Sequence, residues 1–214
     1  MKSPLSVIEL VANRELQAEP GNEAWQSITE ERRELTVALD NLLTSARLPG
    51  FGHDYHAQRI ALEPFLRAVI NEEKRRFIAT GVYPNLHVSA NLTVVSDPKW
   101  LRVIMKQLLS NAVKYSPAHQ QDTVFVGAKA QGEFTEITVR DEGIGIPAGD
   151  ISRVFEQFFT GENGRLTRVS TGIGLTLAAR IAAVLEIELR IESAGPGMGT
   201  TATVVLPTPN LTQV

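Results

Sequence analysis

Four short islands in the sequence carry residues that could act together on one small, charged ligand. The first, QLLSNAVKYS at 107–116, places Asn111, Lys114 and Tyr115 within about one helical turn. An amide oxygen, an ammonium and an aromatic ring can then face one site. The second, RDEGIGIP at 140–147, sets Asp141 at the end of a strand pattern, followed by Gly143 and Gly145. A buried carboxylate there could accept a hydrogen bond from an exocyclic amine such as that of adenine, and the glycines let the backbone come close to a neighbour. The third, VFEQFFTGENGRLTRVS at 154–170, puts Phe155, Phe158 and Phe159 ahead of a polar run with Gly161 and Gly164, an aromatic anchor leading into a lid-like stretch. In the fourth, STGIGLTLAARIAAVL at 170–185, Gly172 and Gly174 open a helix rich in Leu and Ala. Free N–H groups and a partial positive charge at such a start suit an anion such as phosphate. Taken alone, each island also reads as ordinary structure: a solvated helix end, a tight turn, a surface loop, a glycine turn needed for packing.

Bringing the islands together requires a framework, and the apolar periodicities outline one. Leu101, Ile104, Met105, Leu108, Leu109 and Ala112 mark a helix over Pro98–Tyr115. Strands are expected at RIAL, LHVSA, LTVVS, TVFVGAKA, EFTEITVR, ELRIES and TATVVLP, and helices at Pro64–Ala79 and Gly174–Leu185, with a hairpin turn around Gln131 and Gly132. Strands and helices do not alternate one for one. The expected class is therefore α+β, a two-layer α/β sandwich with helices on one face of a mixed sheet. Ahead of it, Ser3–Leu16 and Glu23–Arg47 predict two amphipathic helices separated by a Pro-Gly turn, a helical hairpin with too little surface to bury its own apolar stripe. LPGFGHDYHAQ reads as a linker. The expected units are 1–48, 49–58 and 59–214.

Bulk composition narrows the classes. Of 214 residues, 43% are hydrophobic and 21% charged, as in a globular protein with a real core. The absence of cysteine excludes a disulfide framework and thiolate-held metal. A net charge of -3 gives no reason to expect nucleic acid as a partner. No apolar stretch approaches the ~20 residues that span a bilayer.

In their order, and followed by GMGTTATVVLP, the four islands resemble the ATP-binding domain of the GHKL (Bergerat) superfamily, over about residues 58–207. Within it, NAVKYS is similar to the asparagine box and FEQFFTGENG to the phenylalanine box of bacterial sensor histidine kinases. The hairpin resembles their dimerisation and phosphotransfer domain, and FTGENGR…STGIGL looks most like kinases that work with peptide-antibiotic transporters. The resemblance implies ATP and Mg²⁺ as ligands. Asp141 would accept the adenine amino group, with Thr200 supporting through water; Asn111 would bind Mg²⁺, Lys114 neutralise phosphate charge and Tyr115 pack on the nucleotide. Gly143, Gly145, Gly172, Gly174 and Leu175 would line the cofactor, and Arg165 or Arg168 in the lid would reach the γ-phosphate. Gln107 stands where many members carry a second asparagine, its longer arm still within reach of the metal, and Thr160 where many carry arginine.

MKSPLSVIEL is similar to the stretch that follows the acceptor histidine in that family, which by its spacing is expected two residues ahead of Met1. His53, His56, His87 and His119 have no acceptor context. The implied protein is the cytoplasmic part of a membrane kinase that passes the γ-phosphoryl of ATP to a histidine and then to a response-regulator aspartate. It would form a homodimer through the hairpin and partner a receiver domain and a peptide transporter. This chain is expected to bind Mg·ATP without phosphorylating itself, and Ser3 falls where the family has a residue assisting dephosphorylation. The alternatives are an ATP-hydrolysing GHKL switch, disfavoured because Lys106, Gln107 and Ser110 offer no catalytic glutamate, and a non-enzymatic module for dimerisation and regulator binding.

Overall fold

A computed structural model describes residues 4–19, 21–47, 55–116, 123–161 and 171–208. Helices α1 (Pro4–Ala18) and α2 (Glu23–Arg47) form the expected hairpin. Asn22 starts α2: its Oδ1 accepts from the N–H groups of Ala24 and Trp25, satisfying two donors that have no partner inside the helix. Among the described residues Ala12 and Ala38 are the buried apolar residues of the pair, and Arg32 reaches Glu9 at 3.2 Å. Val7, Ile8, Leu10, Leu35, Leu39 and Leu43 stay exposed. Among the described residues no helix is long and apolar enough to cross a membrane.

The remainder is an α+β sandwich. Strand β1 (Gln58–Ala61) pairs antiparallel with β3 (Thr93–Ser96). A five-stranded sheet runs β2-β4-β5-β7-β6, built from β2 (Tyr83–Val88), β4 (Thr123–Gln131), β5 (Phe134–Asp141), β6 (Glu188–Glu192) and β7 (Thr200–Pro207). Only the β2–β4 pairing is parallel. Its inward rows are apolar across the sheet: Val126, Val139 and Ala202 lie in one register, Ala128, Ile137 and Val204 in the next, all buried. Against that face sits α5 (Pro98–Tyr115), whose predicted stripe from Leu101 to Ala112 is fully in the core, beside α3 (Leu62–Glu72) and α6 (Gly174–Val184). Pro98 at the first turn and Asp97, whose carboxylate accepts from Lys99 and Trp100 N–H, define where α5 begins.

The single helix expected from Pro64 to Ala79 is two. It starts two residues earlier, and Glu73 (φ −90°, ψ 3°) interrupts it before α4 (Lys74–Thr80), which ends at Gly81 in the left-handed conformation. Glu72 at the break pairs with Lys106 and Arg102 of α5, and Glu73 with Lys106, so the bend brings two carboxylates to the α5 surface.

Candidate functional site

The β5–β7 pairing puts Asp141, the last residue of one strand, opposite Thr200, the first of the other. Both backbone donors nearby end on one oxygen: Gly143 N–H donates to Oδ1 at 2.9 Å and Thr200 N–H at 3.1 Å. Among the described residues Oδ2 accepts from no protein donor. Asp141 is only 7% exposed. Burial, which penalises its charged form, raises its pKa from 3.8 to about 6, with the two N–H bonds pulling the other way. Around it the cavity wall is mostly apolar, with Leu108, Val139, Ile146 and Ala202 beside Asp141 and Thr200. One carboxylate in an apolar slot is what a flat base with an exocyclic amine requires.

Two glycine turns hold that carboxylate. Gly145 (φ 66°) lies so close to the next turn that a Cβ would stand 2.1 Å from the carbonyl oxygen of Gly195; on Gly199 (φ 67°) it would stand 2.1 Å from that of Asp141. Between the turns, Gly197 N–H donates to Ile144 O and Gly199 N–H to Gly143 O. Ser193 joins them: its Oγ accepts from Ile146 N–H at 3.0 Å and donates to Gly199 O at 2.7 Å. Gly143 makes its close approach to the Tyr115 carbonyl, so the base-side turn is also seated on the end of α5.

A second cavity adjoins the first, the two sharing Asn111, Tyr115, Val154, Phe159 and Leu175. Gln107, Ser110 and Lys114 of α5 face it together with Thr171, Gly172 and Gly174 at the start of α6. Among the described residues no side chain caps the start of α6, where first-turn N–H groups can meet water or an anion. Gly174 brings the start of α6 close to Gln107: a Cβ there would stand 2.6 Å from Gln107 Oε1. Gly172 (φ 64°) is pressed on the backbone of Phe158, whose N–H donates to Gly172 O at 3.0 Å.

The structure thus gathers Gln107, Asn111, Lys114, Tyr115, Asp141, Gly145, Gly172, Gly174, Leu175 and Thr200 around two connected cavities, with Gly143 just behind. Thr200 meets Asp141 through its backbone N–H. Ser3, Arg165 and Arg168 lie outside the described residues. Of the aromatic anchor, Phe155 and Phe159 are half-buried, but Phe158 is 63% exposed at φ 65°. Its backbone packs on Gly172. Three described residues escaped the sequence reading: Ser193, Asn41 of α2 and Arg76 of α4, the last two in the wall of the second cavity. A serine just before a glycine turn is a signal for Ser193; Asn41 and Arg76 have none, because each gains its place only by tertiary packing.

Two neutral amide oxygens one helical turn apart, a lysine and an uncapped helix start suit Mg²⁺ with phosphates better than a metal alone. Mg²⁺ keeps several waters and leans on phosphate oxygens, and no cluster of three His, Cys, Asp or Glu side chains occurs among the described residues.

Residues 96–210 match the family described as histidine kinase-, DNA gyrase B- and HSP90-like ATPase. The chain is 40% identical over 200 residues to the sensor histidine kinase YxdK of Bacillus subtilis (strain 168), covering 94% of this chain and 59% of that protein. It is 33% identical over 211 residues to the sensor protein BceS of the same organism, covering 98% and 60%. The chain therefore spans about three fifths of the length of these relatives. Among solved structures, the Acinetobacter baumannii histidine kinase AdeS superposes with a TM-score of 0.68 at 17% identity, covering 96% of this chain and 98% of that one. Full-length ShkA in complex with AMPPNP gives 0.70 at 22% identity, covering 87% and 38%. The fold, the ordered islands around Asp141 and these likenesses agree: the chain belongs to the histidine kinase-, DNA gyrase B- and HSP90-like ATPase family.

Proposed function

We propose that this chain binds Mg·ATP with the base against Asp141 and the phosphates between α5 and the start of α6. The observation that carries it is the buried carboxylate with both backbone donors on Oδ1. Oδ2 is then an acceptor for the adenine amino group; the carbonyl of guanine would face it and leave polar groups unpaired, worth a few kcal/mol. Asn111 and Gln107 would hold Mg²⁺ through their amide oxygens, and Lys114 would face the phosphates. Tyr115 would pack on the nucleotide, and the N–H groups opening α6 would orient the phosphate chain. Bound Mg²⁺ offsets phosphate charge. Arg165 and Arg168 are the candidates for the γ-phosphate.

In the whole protein the γ-phosphoryl would pass to a histidine nitrogen and then to an aspartate of a response regulator, with this chain as the cytoplasmic portion of a membrane kinase. Residues 1–48 would serve as the dimerisation and phosphotransfer unit, 49–58 as linker and 59–214 as the catalytic unit. The exposed Leu10, Leu35, Leu39 and Leu43 support a homodimer through the hairpin, since a stripe this apolar gains by burial against a second copy. A role for Ser3 in regulator dephosphorylation, and a peptide transporter as partner, rest on the wording of MKSPL and FTGENGR…STGIGL.

Nucleotide at 100 times its Kd should add about 2.7 kcal/mol of stability, a rise in melting temperature of roughly 5–11 °C for a chain of this size. Mg·ATP and Mg·ADP should give it and Mg·GTP should not. No rise with any adenine nucleotide would leave the non-enzymatic module as the function. None of the four histidines stands on the α1–α2 hairpin. Incubated with radiolabelled ATP, the chain should accordingly acquire no acid-labile phosphate; label on any of the four would contradict the proposed division of labour.

A further inference from the structure

Helix α2 turns Val37, Asn41 and Ser45, spaced four apart on one face, toward the nucleotide-binding layer. Val37 and Asn41 line the second cavity, and Ser45 Oγ accepts from Arg180 of α6 at 2.5 Å. Asn41 is 7% exposed, and its Oδ1 accepts a hydrogen bond from Gln107 Nε2 at 3.0 Å. Within the hairpin, Ala12 and Ala38 are buried and Arg32 pairs with Glu9, whereas Asn41 bonds to a residue outside it. The consequence falls on Gln107. A glutamine amide has two orientations that exchange donor and acceptor; in the one adopted here Nε2 donates to the Asn41 oxygen. Oε1 is then aimed at the start of α6, within 2.6 Å of where a Cβ on Gly174 would stand. A glutamine also has one more torsion than an asparagine to immobilise, at an entropic cost, and an outside hydrogen bond removes that freedom before any ligand arrives.

We infer that Asn41 is a positioning residue of the nucleotide site: contributed by the helical hairpin, it holds Gln107 with its oxygen toward the phosphates and metal. The metal-dependent part of nucleotide affinity thereby depends on a docked α2. This rests on the Mg·ATP function proposed above.

Calorimetric titration of AMPPNP in Mg²⁺ and again in EDTA isolates that part. Asn41→Ala should cut the gain in affinity from Mg²⁺ about threefold to tenfold, the worth of one hydrogen bond, and leave the affinity in EDTA unchanged. In a Gln107→Ala background it should change nothing further. Asn41→Leu, close in volume and without an acceptor, serves if the alanine variant does not fold. An equal loss in Mg²⁺ and EDTA, an undiminished effect without Gln107, or no effect at all would overturn the inference. If the unaltered chain binds AMPPNP equally well with and without Mg²⁺, the metal reading itself fails and the inference with it, and the wild-type titration alone reveals that case.

Discussion

Asp141→Asn should abolish adenine-nucleotide binding while making the free protein more stable at neutral pH. Oδ1 of Asp141 takes both backbone N–H groups. An asparagine would keep its oxygen there, because those donors would otherwise be buried without partners. Its NH₂ would then occupy the place of Oδ2 and oppose the adenine amine, donor against donor. Affinity should fall on the order of 100-fold or more. The same NH₂ could donate to a purine carbonyl, so inosine or guanine nucleotides should lose less than ATP or gain. The stability change has the opposite sign. Asp141 titrates near 6 in the folded protein against 3.8 ordinarily, because burial penalises its charge. A raised carboxyl pKa means that the folded state binds the proton more tightly. Stability contributed by this group is full below about pH 4 and is lost as pH rises to about 6. The loss amounts to about 3 kcal/mol at 1.36 kcal/mol per pKa unit. Asn does not titrate, so the melting temperature of the variant should exceed that of the wild type by up to roughly 6–12 °C above pH 6.5, narrowing toward pH 4. Wild-type affinity for ADP should itself weaken about tenfold between pH 7.5 and pH 5, as the acceptor is protonated. A variant that binds ADP normally, or a stability gap independent of pH, would contradict this account.

The site is costly in the free protein and useful only when filled, which bears on how much of it was legible beforehand. The α5 stripe announced its helix at Pro98–Tyr115 and its burial, because one apolar face in register with 3.6 residues per turn has few other uses. Asp141 and its glycines stood out by type and spacing, and the strand that ends at Asp141 is an alternating one. What could not be read are relations between distant segments. Nothing in EEKRRF marks the break at Glu73, which coincides with ion pairs to α5. Phe158 looked like an anchor because aromatic residues usually are, whereas it sits at φ 65° with its N–H on Gly172 and its ring exposed. Asn41 and Gln107 lie 66 residues apart, and their bond exists only once α2 packs beside α6. Periodicity predicts faces; it does not predict which polar side chain on one face meets which on another.

Gly145→Ala should cost far more than the same change at Gly132, although both glycines adopt the left-handed conformation. Gly132, at the β4–β5 turn, has φ 63° and nothing within 4 Å of a built Cβ. An alanine there bears only the conformational cost, about 1 kcal/mol. Gly145 has φ 66°, and its Cβ would lie 2.1 Å from Gly195 O and 3.1 Å from Ser193 Oγ. A backbone carbonyl cannot swing aside as a flexible side chain would. Relief requires the 142–147 turn to move off the 195–199 turn. That motion stretches Gly197 N–H to Ile144 O, at 2.7 Å, and Ile146 N–H to Ser193 Oγ, at 3.0 Å. The same conformational cost of about 1 kcal/mol then adds to two hydrogen bonds at about 1–2 kcal/mol each when their buried groups are left unpaired. The total loss should be roughly 3–5 kcal/mol in chemical denaturation. Nucleotide binding should weaken with it, because the same turn carries the Gly143 N–H that holds Asp141. If both alanine variants unfold at the same denaturant concentration, the two turns are not pressed together as the geometry indicates. If Gly145→Ala loses stability but keeps its ADP affinity, the turn supports the sheet edge and does not orient the carboxylate.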